Sequence, residues 1–149
     1  MSTTTQAPRQ LDPSASLHPE TLGLAPGRGR LAGRKIIVVG AGQRKIVDED
    51  PPIGNGRAMS VLFAREGAHV ACIDVNKEAA DNTVAQIASE GGKAFTEVVD
   101  VADVSAIAPA VERCAQKLGG LDGLALNVGI SCGLPLAKMA LPFDQVYAC

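Results

Sequence analysis

The chain has 149 residues, 46% hydrophobic and 20% charged, with a formal net charge of −2: enough for one domain with a real core, and without the basic block that a nucleic-acid partner would require. No apolar run nears the ~18 residues of a membrane helix, and no apolar signal stretch opens the N-terminus, so a cytoplasmic protein is expected. Aromatic residues make up only 3%, with no Trp, which leaves an aliphatic core of the kind found in a parallel sheet buried between helices.

Residues 1–30 are rich in Ser, Thr, Pro, Gly and Arg without periodicity, and are expected to be a disordered, dispensable leader to a domain over 31–149. An organellar transit peptide is a second reading of this stretch, weakened because no amphipathic helix can be drawn through it. Order begins at Ile36–Val39, a β-branched run that reads as a buried strand ending at Gly40. Beyond the glycine-rich segment 40–56, a helix carries Ala58, Val61, Leu62 and the stem of Arg65 on one face and stops near Gly67. A second strand runs from His69 to Asp74. A second helix places Ala80, Val84, Ile87 and Ala88 together and stops at Gly91-Gly92, and a third strand follows over 93–101. The third helix aligns Ile107, Val111, Cys114 and Leu118, with Pro109 in its first turns, where a missing N–H costs least. A fourth strand falls within 120–129, and the tail 134–149 reads as a loop and the start of another helix. Strict β-α alternation with right-handed crossovers gives a Rossmann-like, doubly wound α/β fold with a parallel sheet, here its βαβαβαβ half.

The four cysteines, Cys72, Cys114, Cys132 and Cys149, show no C-x-x-C pair and no histidine partners, so neither zinc nor a disulfide framework is expected, only reduced thiols. His18 and His69 have no partner that suggests catalysis.

Ligands of such a sheet bind beyond the carboxyl ends of its strands. Those ends read Gly40-Ala41-Gly42, Asp74, Asp100-Val101 and Asn127-Val128-Gly129. The first should be a phosphate loop, where a helix N-terminus offers free N–H groups and glycine lets the backbone come close. The pattern G-x-G-x-x-G fails, because Lys45 stands where the third glycine belongs. Asp74 resolves the difficulty. It lies 18 residues after Gly56, the spacing of an acid that takes the adenosine ribose hydroxyls, and much too far from Gly40. The segment is therefore one loop that leaves at Gly40 and Gly42, makes an excursion over the insertion Gln43–Pro52, and returns at Gly54-Asn55-Gly56.

These residues resemble the short-chain dehydrogenase/reductase (SDR) family. "RLAGRKIIVVGAG" is similar to its first strand, "GNGRAMSVLFAREGAHVACID" to its G-x-G-R-A helix and second strand, "DVAD" to its adenine-contacting Asp-Val pair, and "LALNVGI" to its N-N-A-G element. The resemblance spans roughly 31–149. It departs at Val39, where the family has Thr, in the ten inserted residues, and at Leu126 and Val128, which stand for the first Asn and the Ala of N-N-A-G. It implies hydride transfer between a nicotinamide dinucleotide and a small alcohol or carbonyl substrate, and usually homo-oligomers among intact members. NAD is the expected cofactor, with NADP as the alternative should Arg44 or Lys45 meet a 2′-phosphate. The implied cofactor contacts are Gly40, Gly42, Gly54, Asn55, Gly56, Asp74, Asp100, Val101, Asn127, Val128 and Gly129.

No catalytic or metal-binding residue is assigned. The family's acid is a Tyr with a Lys four positions on, whereas the one tyrosine here, Tyr147, is followed only by Ala148 and Cys149 and reads as a packing residue. Ser131 and Cys132 lie near the nicotinamide side without a base. A chain truncated before its catalytic groups and inactive alone is the expectation; a non-catalytic nucleotide-binding module and a non-functional fragment remain open.

Overall fold

A computed structural model of the chain describes residues 18–44 and 53–129. Its elements are β1 (Lys35–Val39), α1 (Asn55–Arg65), β2 (His69–Asp74), α2 (Lys77–Ser89), β3 (Lys93–Val98), α3 (Val104–Leu118) and β4 (Gly123–Leu126). The strands form one parallel sheet in the order β3-β2-β1-β4. The sequence-based α/β expectation is met. The chain steps outward from β1 to β3, then returns across the sheet to lay β4 on the other side of β1, which is the reversal that opens a crevice at the strand ends.

Alternation along β1 and β2 feeds two cores. Ile36, Val38, Val70 and Cys72 pack with Val61 and Ala64 of α1 and Ile87 of α2. Ile37, Val39, Ala71 and Ile73 face the other way, onto Ala110, Cys114 and Leu118 of α3. Ile37, Val38 and Val70 are fully buried, each contributing about 1.5–3 kcal/mol through lost apolar exposure. Burial also pushes the Cys72 and Cys114 thiols up to about 11, so both are unreactive core residues.

The helices are turned relative to the faces expected from periodicity. In α1 the buried residues are Gly56, Ser60, Val61 and Ala64, leaving Ala58, Leu62 and Arg65 at the margin. Small residues meet the sheet because the helix lies close to β1 at its first turn. In α2 the buried set is Ala80, Thr83 and Ile87, and Ala88 is exposed. In α3 Ala110 takes the place expected of Ile107, which is 37% exposed. Polar anchors on the β3 side set that rotation: Arg113 pairs with Glu97 at 2.6 Å, and the Lys117 ammonium sits 4.0 Å from the centre of the Phe95 ring. The third strand ends at Val98, short of the expected 101, because Asp100 opens a turn closed by the Asp103 N–H on its carbonyl.

Within residues 18–30 the chain makes turns over 19–23, and Arg28 and Arg30, then Leu31 and Gly33, donate to Glu66 and Gly67 at the end of α1. Polar main-chain anchoring of this kind leaves no trace in hydrophobic periodicity. Among the described residues no helix is long and apolar enough to cross a membrane.

Candidate functional site

Gly40 ends β1 with φ +78°, and its N–H and that of Ala41 both donate to the Ile73 carbonyl of β2. The left-handed turn favours glycine. It also aims the Gly40 carbonyl at α1: a Cβ on Gly56 would lie 1.8 Å from that oxygen, so no side chain fits at 56. Asn127, just past β4, closes the third side. Its N–H donates to the Val39 carbonyl at 2.9 Å and its side-chain amide approaches the Gly40 carbonyl at 3.4 Å. Gly40, Gly56 and Asn127, 87 residues apart at the extremes, therefore meet at one point.

The two limbs of the loop belong together. Gln43 on the outgoing limb accepts the Gly54 N–H of the returning limb at 3.2 Å. The core of the expected insertion, residues 45–52, lies outside the described residues, but its two ends are held side by side by this contact.

Asp74 reaches back from β2. One carboxylate oxygen accepts the Gly42 N–H at 2.8 Å and the other the Asn76 N–H at 2.9 Å. A Cβ on Gly42 would collide with Ala79 and with that carboxylate. Each Asp74 oxygen thus spends one acceptor position on the main chain and keeps another for a ligand.

Helix α1 differs from its neighbours at its N-terminus. Asn76 caps α2 by accepting the Ala79 N–H, and Asp103 caps α3 by accepting the Ser105 N–H. Gly54, the N-cap of α1, provides no side-chain acceptor. The first N–H groups of α1 therefore receive no cap from the residue that starts it, and they lie at the positive end of the helix dipole.

Two residues of the loop's support went unnoticed in the sequence. Thr83 of α2, fully buried, donates to the Ala41 carbonyl at 2.9 Å, and Ser60, also buried, donates to the Gly56 carbonyl at 2.8 Å. Thr83 stands at helical spacing from Ala80 and Ile87, so a polar residue on an apolar face was the available signal.

The remaining expected residues share the edge, and Val128 comes closest to this cluster, its main-chain nitrogen 3.1 Å from where a Cβ on Gly40 would stand. Asn55 is exposed on the first turn of α1. Asp100 is exposed and caps its own turn through the Ala102 N–H, and Val101 is packed against the α3-side core. Val128 is 51% exposed, and Gly129 is exposed beside it. Among the described residues no hydrogen bond links these five to Gly40, Gly42, Gly54, Gly56, Asp74 or Asn127. Lys45, Ser131, Cys132 and Tyr147 lie outside the described residues.

The family model for short chain dehydrogenases matches residues 52–148. A 2,5-dichloro-2,5-cyclohexadiene-1,4-diol dehydrogenase of Sphingobium indicum is 38% identical over 112 residues, which cover 74% of this chain and 40% of that protein. A 3-oxoacyl-(acyl-carrier-protein) reductase of Thermotoga maritima is 34% identical over 110 residues, covering 74% and 41%. Among solved structures, the carveol dehydrogenase of Mycobacterium avium in complex with NAD superposes with a TM-score of 0.62 at 28% identity, over 80% of this chain and 43% of that one. The chain spans about two fifths of the length of the curated relatives named here. A family match that begins on the returning limb of the loop and runs through β4 places the chain in the short-chain dehydrogenase family.

Proposed function

We propose that this chain binds a nicotinamide dinucleotide, NAD in preference to NADP, as the cofactor-holding domain of an oxidoreductase acting on an alcohol or carbonyl substrate. The observation that carries this reading is the uncapped N-terminus of α1, seated on Gly40 where a Cβ at Gly56 would fill the space. The residues fit the group. The N–H groups at Asn55 and Gly56 would hold the pyrophosphate, with Gly40, Gly42 and Gly54 allowing the backbone to approach it. Asp74 would accept from the ribose hydroxyls, Asp100 and Val101 would border the adenine, and Asn127, Val128 and Gly129 would flank the nicotinamide side. When bound, the nicotinamide supplies or accepts hydride.

Turnover also requires a group that protonates or deprotonates the substrate oxygen, worth roughly 10²–10⁴-fold in rate. No Tyr-x-x-x-Lys pair lies within Met1–Cys149, so binding without turnover is the expected behaviour of these 149 residues.

Calorimetric titration tests the reading. The wild-type chain should give saturable heat with NAD, and Gly56→Ala, which drives a methyl against the Gly40 carbonyl, should bind at least about tenfold more weakly, the effect of ~1.4 kcal/mol. Absence of binding to the folded wild-type chain at millimolar NAD would refute it.

A further inference from the structure

At the end of the sheet away from the loop, residues 18–33 cross the C-terminal ends of α1 and α2. Glu66, the C-cap of α1, is only 4% exposed. An acid there sits at the negative end of the helix dipole and loses water, both unfavourable unless donors meet it. They come from the crossing segment. One Glu66 carboxylate oxygen accepts the N–H groups of Arg28 and Arg30 at 3.2 and 3.0 Å, and the other accepts the Arg30 guanidinium at 2.8 Å. The Glu66 carbonyl takes the Leu31 N–H, and the Gly67 carbonyl takes that of Gly33.

Arg65 carries the attachment on to α2. Its guanidinium donates to the Thr21 carbonyl and makes a two-pronged contact with Glu90, the C-cap of α2, at 2.6 and 2.9 Å. The fit is close: a Cβ on Gly27 would lie 2.0 Å from the Arg65 carbonyl oxygen. Arg28 in turn pairs with Glu20, closing the segment on itself.

We propose that residues 18–33 are a latch, keyed by Glu66, that fastens the C-terminal ends of α1 and α2 and can release without unseating the loop end of α1. The misplaced charge is the reason for the assignment. An acid at a helix C-terminus with three donors from one segment is built to receive that segment. The same contacts hold the Glu66 carboxyl down to about 2, chiefly through the Arg30 guanidinium. Release would free Leu31, Gly33 and the last turn of α1, while Gly56 stays against Gly40 at the other end of a helix about 16 Å long, at 1.5 Å per residue.

Amide hydrogen exchange on the full chain tests this with two independent variants. Glu66→Gln leaves one acceptor oxygen for two donor sets, so an NH₂ must face either the Arg28 and Arg30 N–H groups or the Arg30 guanidinium, and Gly27→Ala pushes the segment off the Arg65 carbonyl. In both, the Leu31 and Gly33 amides should exchange at least about tenfold faster, with Ile37 and Val38 of β1 unchanged. Three results would overturn the latch: unprotected Leu31 and Gly33 amides in the wild-type chain, unchanged rates in both variants, or an equal rise at Ile37 and Val38, which would mean global unfolding rather than local release.

Discussion

Asp74 ends the second strand, and its identity follows from where the chain needs an acceptor. Its carboxylate ties down the Gly42 turn and Asn76 while keeping capacity for two hydroxyls, and a 2′-phosphate at the same place would meet like charge, a juxtaposition costing several kcal/mol. Asp74→Ala is therefore expected to narrow the preference for NAD over NADP, measured as the ratio of the two dissociation constants; an unchanged or wider ratio would remove Asp74 from the ribose. At the opposite end Glu66 gives a pH signature. Its folded carboxyl is held at about 2 against an ordinary 4.5, so the stabilisation it supplies is complete above about 4.5 and is lost as pH falls towards 2. Between pH 5 and pH 2.5, thermal melts should show the wild-type midpoint falling further than that of Glu66→Gln, a comparison in which Glu90, Asp81 and the other paired acids cancel. Parallel falls would deny Glu66 that role.

Three helices of one sheet make a controlled comparison at the scale of elements. Two start on a side chain that caps them, Asn76 and Asp103, while α1 starts on Gly54 and is left open. Gly54 has φ −69° and ψ 146°, ordinary for any residue, and a Cβ there would meet only Gln43 at 3.7 Å. Glycine is thus not required by backbone strain, and its presence fits a helix end kept for a ligand. Gly54→Asp should raise stability by only about a few tenths of a kcal/mol through the new cap in denaturant melts, and lower dinucleotide affinity at least about tenfold through repulsion of the phosphates. A gain in stability with no loss of affinity would mean that the phosphates do not sit at α1. The same elements show what the sequence could and could not reveal. Order and type of all seven were legible because β-branched runs, helical spacing and terminal glycines agree. The rotation of α1 and α3 was not, because it is set by contacts between distant residues: Gly56 on Gly40, Arg113 on Glu97, Lys117 on Phe95.

In the whole molecule, the strand order β3-β2-β1-β4 gathers the glycine loop, Asp74 and Asn127 at one end and the segment 18–33 at the other. β4 pairs with β1 along one edge, and its Leu124 and Leu126 are 48% and 76% exposed among the described residues. That the two limbs of the glycine-rich loop come together was legible from the spacing of Asp74 to Gly56. The Gln43–Gly54 contact and the Thr83 tether were not, since both are side-chain bonds across the fold. The claim on which the rest depends is that a dinucleotide lies across the N-terminus of α1. Titrating the isotope-labelled chain with NAD and following amide chemical shifts tests it most directly. The account predicts saturable shifts at Gly40 to Gly42, Asn55 to Arg57 and Asp74, with Leu31, Gly33 and Glu66 unmoved; no shifts at millimolar NAD, or shifts confined to the 18–33 end, would contradict it.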